Sequence, residues 1–227
     1  MASSVSDALN NLSAGLILIS AFAMVATRQV QGVVRYFIIQ SLLLTASCWL
    51  LAWSRHSEHL WMLGGLTFIA KVIVIPLVLS RLLPGDYYER REISQAVNIP
   101  ASLLLALLLA IVSEFLTEPL VGSATDPVLR VNVPIGLAGV LIGAWSLMAR
   151  REAIPQLIGI LAMENGAFLA GIAIADQLPL IAELGVAVGV ILIVIVIGLL
   201  TRNIRQTLGT TEAAALNELR EEATPWR

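Results

Sequence analysis

The chain has 227 residues, of which 58% are hydrophobic and 13% are charged, and its formal net charge is −2. A soluble domain carries about 25% charged residues, so this composition indicates a membrane protein, and the small net charge gives no sign of a nucleic-acid partner. The one cysteine, Cys48, excludes an internal disulfide and a cysteine-ligated zinc or iron–sulfur site within the chain.

Seven stretches are long and apolar enough to cross a bilayer, which needs about 20 such residues in a helix. They are residues 8–27, 33–53, 60–83, 97–116, 131–149, 153–175 and 178–200. The segment ahead of the first stretch has no basic residue, so we expect no cleaved signal peptide and a retained first span. The sequence therefore predicts an all-α membrane protein with seven transmembrane helices.

Arginines are distributed unequally between the two sets of loops that seven spans create. Eleven lie in one set and in the C-terminal tail, whereas the opposite set holds two, Arg55 and Arg130. Because loops rich in Lys and Arg stay on the cytoplasmic side, we expect the N-terminus outside and the C-terminus in the cytoplasm. The expected location is the cell inner membrane, as a multi-pass protein.

Short loops divide the chain into four units. They are an N-terminal three-helix unit (1–96), a fourth helix with its connecting loop (97–130), a second three-helix unit (131–205) and a cytoplasmic tail (206–227). Residues 15–29 resemble residues 136–152, which suggests an internal repeat of the two three-helix units. The loops are too short to hold a soluble domain.

Lys71 is the only lysine, and it lies inside the apolar run GLTFIAKVIVIPLVL. At 1.5 Å per residue, either end of the predicted span is about 17 Å away, farther than a lysine side chain reaches toward water. A cation at that depth costs about 3 kcal/mol on insertion scales. A carboxylate partner, internal water or loss of the proton would offset this cost. Lys71 is therefore a candidate for a proton path, and a fixed lysine–carboxylate brace is the alternative.

Glu164 occupies the middle of the sixth predicted span, in IGILAMENGAFLAG, and is the obvious partner for Lys71. A glutamate at this depth that faces protein usually belongs to a proton or ion path; the alternative is a protonated hydrogen-bond donor. The small residues Ala162, Gly166 and Ala170 form a stripe suited to close helix packing.

Three further polar residues are weaker candidates. Glu183 lies five residues into the seventh predicted span, beside a GxxxG face, and is either a relay member or a boundary residue. Glu114 lies near a helix end and is expected to be a boundary residue. Gln40 is a polar residue in the middle of the second span.

The sequence offers no motif for independent bond-making chemistry. His56 and His59 lie in the polar segment SRHSEH, and two histidines with one glutamate do not make a metal site. No histidine lies inside a predicted span to ligate haem. We therefore expect no catalytic residue, metal or cofactor in this chain.

Two family resemblances rest on specific strings. Residues 131–205 resemble the three-helix K subunit of respiratory complex I and the C subunit of multi-subunit cation/proton antiporters, through ARRE (149–152), IGILAMENGA (158–167) and LLTRNIRQ (199–206). The whole chain resembles component E of hydrogenase-4-type membrane-bound [NiFe] hydrogenases, through FIAKVIVIPL (68–77), AMENGAFL (162–169) and ELGVAV (183–188).

This resemblance implies a non-catalytic subunit of a larger redox enzyme. Lys71, Glu164 and Glu183 would contribute to a line of buried charges that moves protons at mid-membrane depth. The implied partners are antiporter-like and complex I-like membrane subunits, and through them hydrogenase and iron–sulfur subunits.

Other functions remain open from the residues alone. A cation/proton antiporter subunit or an independent secondary transporter is the main alternative, since Pro76 could break the third span around a midplane site. A photoreceptor with a lysine Schiff base fits the helix count but not the position of Lys71. A purely structural assembly protein would leave the buried charges as braces.

Overall fold

The computed structural model describes residues 2–82, 93, 97–174 and 195, with side chains from residue 5 onward. Their helices are α1 (Ala2–Ala26), α2 (Val30–Arg55), α3 (Glu58–Thr67), α4 (Ile75–Leu82), α5 (Ile99–Val121), α6 (Pro127–Ala149) and α7 (Ala153–Ile174). A π-helical segment, Phe68–Val74, joins α3 to α4 without a break, so that the three together form one span. The described chain contains no strand.

The described helices form six spans that are long and apolar enough to cross a membrane. Five coincide with predicted spans to within about four residues at each end, which is the usual boundary error. The fourth continues to Val121 instead of ending at residue 116, because Thr117 and Pro119 stay helical. The seventh predicted span, 178–200, lies outside the described residues except for Ile195, and the tail and Glu183 lie outside them as well.

Helix boundaries follow local chemistry. The Ser57 side chain accepts from the Leu60 N–H at the start of α3, and Asn98 and Asp126 cap α5 and α6 in the same way. Such caps satisfy backbone donors that a helix start leaves without an internal partner. His56 ends α2 in the left-handed conformation, with φ of 50°. The α2–α3 turn therefore needs only two residues between the helices.

The helices pack as a bundle with two distinguishable ends. We call the end that carries His56 and Asp126 the turn end, and the opposite end the Arg150 end. α1 packs against α2, α5 and α6; α2 also contacts α3, the π-helical segment and α7; and α6 packs closely against α7. The third span thus meets the rest of the bundle mainly through α2, and α5 lies at its periphery.

Candidate functional site

Lys71 is buried in the middle of the bundle and is 3% exposed. Its Nζ lies 3.0 Å from Oε1 of Glu164 and donates a hydrogen bond of 2.9 Å to Oδ1 of Asn165. The ammonium also lies 5.6 Å from the centre of the Phe168 ring, within the range of a cation–π contact. One cation is therefore surrounded by a carboxylate, an amide oxygen and an aromatic ring, all from α7.

Only one of the two carboxylate oxygens of Glu164 has a partner within this site. Its side chain is 20% exposed, and Oε2 is buried without a hydrogen-bond partner among the described residues. A carboxylate with one oxygen held by an ammonium and the other unengaged can accept a further donor. One acceptor of the Glu164 carboxylate therefore remains available beside the ion pair.

Asn165 connects the charged pair to α2. Its Nδ2 donates to Oε1 of Gln40 over 3.3 Å and to Oγ of Ser41 over 3.1 Å. Asn165, Gln40 and Ser41 are all completely buried. Amide and hydroxyl side chains can both donate and accept hydrogen bonds. These side chains therefore extend the polar site across the bundle. We call Lys71, Glu164, Asn165, Gln40 and Ser41 the Lys71 cluster.

The π-helical segment sets the direction in which the Lys71 side chain projects from the third span. Seven residues adopt this wider turn, and the N–H of Ile75 reaches the carbonyl of Ala70, five residues earlier. Such segments are uncommon and occur frequently at functional sites, because the extra residue re-aims a side chain relative to the regular helix on either side. Here the re-aimed residue is the buried cation.

Glycines fix the position of α7 against α6. A Cβ atom on Gly166 would lie 2.6 Å from the carbonyl oxygen of Gly136, and one on Gly136 would lie 2.8 Å from the Cβ of Ala170. The predicted small-residue stripe therefore packs against α6 at Gly166 and Ala170. Since α6 occupies that face, the adjacent residues Glu164 and Asn165 project toward the third span and α2.

The structure joins some candidates and separates others. Lys71 and Glu164, from distant parts of the sequence, form the expected pair, and Gln40 lies in the same cluster. Glu114 is exposed near the end of α5. Around His56 and His59, as elsewhere in the described chain, no group of three His, Cys, Asp or Glu residues could hold a metal ion. Asn165 and Ser41 were not predicted to take part, and the Asn that follows Glu164 was the available signal.

Comparison with curated proteins finds relatives that match almost end to end. The uncharacterized protein Rv0085 of Mycobacterium tuberculosis is 30% identical over 215 residues, 94% of this chain and 96% of that protein. Hydrogenase-4 component E of Escherichia coli K12 is 29% identical over 221 residues, 93% of this chain and 97% of that protein. The chain is a homologue of hydrogenase-4 component E. No family model matches it, and neither does any solved structure.

The matches of this component E homologue cover almost the whole chain, and so extend over both the N-terminal and the C-terminal helices that supply the Lys71 cluster. With six described spans, it is a multi-pass membrane protein. Hydrogenase-4 component E of Shigella flexneri matches over the same length and with the same identity as the K12 protein. The narrower resemblance of residues 131–205 to the complex I K subunit stays a prediction.

A second buried polar group lies nearer the turn end. Nδ2 of Asn10 donates to Oδ1 of Asn132 over 3.0 Å, and Oγ of Ser47 donates to Oδ1 of Asn10 over 2.6 Å. All three side chains are completely buried, and they connect α1, α2 and α6. Sequence patterns did not predict this group, although Asn132, alone within the apolar stretch VNVPIG, was a visible signal.

Arg150 is one of the eleven arginines that the sequence places in one set of loops and the tail, and in the structure it is buried, with 3% exposure. Its Nε donates to Oγ of Ser146 over 3.1 Å, and its Nη2 donates to the carbonyl of Met24, which ties α6 to the end of α1. Burial lowers the pKa of Arg150 to about 10, and the negative charge of Glu152 partly offsets this lowering. This pKa leaves the guanidinium charged at neutral pH, so the component E homologue keeps a fixed cation at this end.

Proposed function

We propose that the chain is an integral membrane subunit of a complex I-like, membrane-bound [NiFe] hydrogenase of the hydrogenase-4 or formate hydrogenlyase type. In this role it contributes Lys71, Glu164 and Glu183 to a mid-membrane proton path and links the redox module to antiporter-like subunits. Similarity to hydrogenase-4 component E over 93% of the chain supports the assembly. The buried pair Lys71–Glu164 is the observation that carries the proton role.

The chemistry of the pair suits proton relay better than substrate conversion. Both side chains are of types that can carry a proton, and both lie near the centre of a span. Glu164 also retains an unengaged carboxylate oxygen that can meet a group from outside the described bundle. A proton moves along such a line when one group releases it to its hydrogen-bonded neighbour. The redox reaction belongs to other subunits in this proposal, and the chain itself contributes no bond-making residue.

The orientation in the membrane is part of the same proposal. Arg28, Arg35, Arg81 and Arg151 lie toward the Arg150 end, whereas Arg55 and Arg130 lie toward the turn end. Because positively charged loops remain in the cytoplasm, the Arg150 end faces the cytoplasm and the turn end faces outward across the cell inner membrane. Protons entering or leaving the Lys71 cluster at the turn end would therefore exchange with the outer side.

Replacing Glu164 with Gln tests the proton role in the assembled complex. The variant keeps the size of the side chain and an acceptor for Lys71 but cannot bind and release a proton. We expect hydrogen-dependent proton movement into inverted membrane vesicles to fall about a hundredfold or more. Hydrogen oxidation with a soluble electron acceptor should be unchanged, since that chemistry occurs in other subunits.

The matched control is Glu114→Gln, which makes the same change at an exposed position near the end of α5. Its proton movement should equal that of the unmodified complex. Undiminished proton movement in Glu164→Gln would refute the relay role, whatever the result for hydrogen chemistry.

A cation/proton antiporter subunit or an independent secondary transporter is the second candidate. The observation that favours it is the π-helical segment beside Pro76, where the continuous third span departs from regular α-helix at mid-depth, since transporters place midplane sites at irregular helices. Gentle solubilisation separates the two proposals. The hydrogenase subunit co-purifies with nickel- and iron–sulfur-containing proteins, whereas a transporter purifies without them and retains cation/proton exchange after reconstitution.

A further inference from the structure

The two halves of the bundle on either side of the Lys71 cluster differ in chemistry. Toward the Arg150 end, the cluster meets a layer of hydrocarbon in which every member is at most 1% exposed. This apolar layer comprises Phe37, Ile75, Leu79, Ile154, Ile158 and Leu161. Phe37 and Ile75 lie about one turn from Gln40 and Lys71 respectively. The layer therefore begins directly beside the charged groups and closes that side to water.

Toward the turn end, buried polar side chains continue instead. Thr67 lies four residues before Lys71 and Thr45 four residues after Ser41, and the two threonines are 2% and 1% exposed. The group formed by Asn10, Ser47 and Asn132 follows closer to the surface. An ion pair of 2.9 Å between Arg55 and Asp126 ends the series at the surface. Along the third span, α2 and α7, buried polar side chains thus continue at successive depths on this side only. The buried polar side chains of the Arg150 half lie on or at the end of other helices: Ser20, Ser102, Ser146 and Arg150.

Thr67 has an unusual hydrogen-bonding state for a threonine in a helix. Thr27, Thr45 and Thr117 each donate to the carbonyl four residues earlier, at 2.8, 2.9 and 2.8 Å. The hydroxyl of Thr67 is buried but has no hydrogen-bond partner in the described chain, and the same holds for Nε2 of Gln40. Buried polar atoms of this kind are the positions at which internal water binds in proteins.

We propose that Thr67 begins a hydrated access path that connects the Lys71 cluster to the turn end, while the apolar layer closes the Arg150 side. Water between Thr67, Thr45 and the Asn10 group would bridge hydroxyl and amide groups too far apart to bond directly. That the path carries protons rests on the proposed function. The hydration itself rests on the one-sided distribution of buried polar side chains along the third span, α2 and α7, and on the partnerless groups of Thr67 and Gln40. The two can therefore fail separately.

Cysteine reactivity tests the path, because the nucleophile that attacks a thiol reagent is the thiolate, which forms in water and not in hydrocarbon. Thr67→Cys and Ile75→Cys are a matched pair: each is four residues from Lys71, and the native side chains are 2% and 1% exposed. Both are made in a Cys48→Ala background in the assembled complex, in membranes. The probe is 2-aminoethyl methanethiosulfonate, with Ag⁺ as a smaller second probe, and modification is read by mass spectrometry after quenching with a maleimide.

We expect Thr67→Cys to react at least about tenfold faster than Ile75→Cys with one or both probes. Equal rates for the two variants with both probes would overturn the access path. A faster reaction of Ile75→Cys would also overturn it, since the apolar layer would then be the hydrated side.

Two substitutions at the same position connect the path to proton movement. Thr67→Val keeps the shape of the side chain but removes the hydroxyl, and should slow proton movement about tenfold, whereas Thr67→Ser should preserve it. An unreactive Thr67→Cys together with an inactive Glu164→Gln would sink the access path and leave the relay role intact. A reactive Thr67→Cys with a fully active Glu164→Gln would leave the access path intact and refute the relay role.

Discussion

Lys71 exchanges its hydration shell for a carboxylate, an amide oxygen and an aromatic ring, so its burial depends on partners contributed by another helix. Removing one member of a buried ion pair leaves the other charge without compensation, which costs about 3–5 kcal/mol, whereas replacing both charges is often neutral. The cluster therefore behaves as a unit, and the effects of its members on stability are coupled.

This coupling is measurable with Lys71→Met, Glu164→Gln and the double variant. We expect Lys71→Met to lower the free energy of unfolding in mixed micelles by about 3–5 kcal/mol. The double variant should recover most of this loss, because neither charge remains. Glu164→Gln alone should cost less than Lys71→Met, since its amide oxygen still accepts from Lys71. A double variant as unstable as Lys71→Met would show that the two side chains act independently.

Two helices have to approach closely for the cluster to form at all. Gly136, Gly139 and Gly143 of α6 face Gly159 and Gly166 of α7, where added Cβ atoms would meet backbone atoms of the opposite helix. Backbone cannot move aside as a flexible side chain does, so an added methyl group at these positions would force the two helices to shift. The rotation of α7, and with it the direction of Glu164 and Asn165, depends on this contact.

Gly166→Ala tests the dependence with a change of one methyl group. The new Cβ would lie 2.6 Å from backbone atoms of Gly136 and Val140, so we expect a loss of about 1–3 kcal/mol in the free energy of unfolding. Gly15→Ala in α1 is the control, because no atom lies within 4 Å of its added Cβ. It should be neutral or stabilise by up to about 1 kcal/mol. Equal stabilities for the two variants would contradict the tight α6–α7 contact.

Across the whole molecule, polarity is arranged along the bundle as well as across it. The most exposed side chains of α5, such as Leu104 and Phe115 at 69% and 75%, are apolar and face away from the bundle. The buried polar side chains near the third span lie between the Lys71 cluster and the turn end. This arrangement gives the proposed orientation a functional consequence, because it decides which side of the membrane the cluster would exchange protons with.

Reporter fusions test that orientation. Alkaline phosphatase folds only outside the cytoplasm, where its disulfides form. A fusion after Ser57, at the turn end, should be active, and a fusion after Glu152, beside Arg150, should be inactive. Fluorescent-protein fusions at the same two sites should give the opposite pattern. Activity after Glu152 and none after Ser57 would invert the orientation and place the access path on the cytoplasmic side.

The sequence by itself determined the features that depend on local hydrophobicity. Runs of apolar residues predicted all six described spans, because a helix that crosses hydrocarbon must be apolar along its own length. A charge within such a run is costly and therefore conspicuous, which is why the apolar pattern alone distinguishes Lys71 and Glu164 as candidates. Family strings pointed correctly to component E for the same reason: they contain those rare charges.

Only the tertiary structure decided which side chains meet. Asn165, Ser41 and the Asn10 group were missed because neutral amides and hydroxyls occur in many spans, and their importance depends on what the neighbouring helix places opposite them. The π-helical turn around Lys71 was equally invisible, since the difference between an α- and a π-turn is small and side-chain packing decides it. The arrangement of helices is a non-local property, and it converts isolated charges into a connected site.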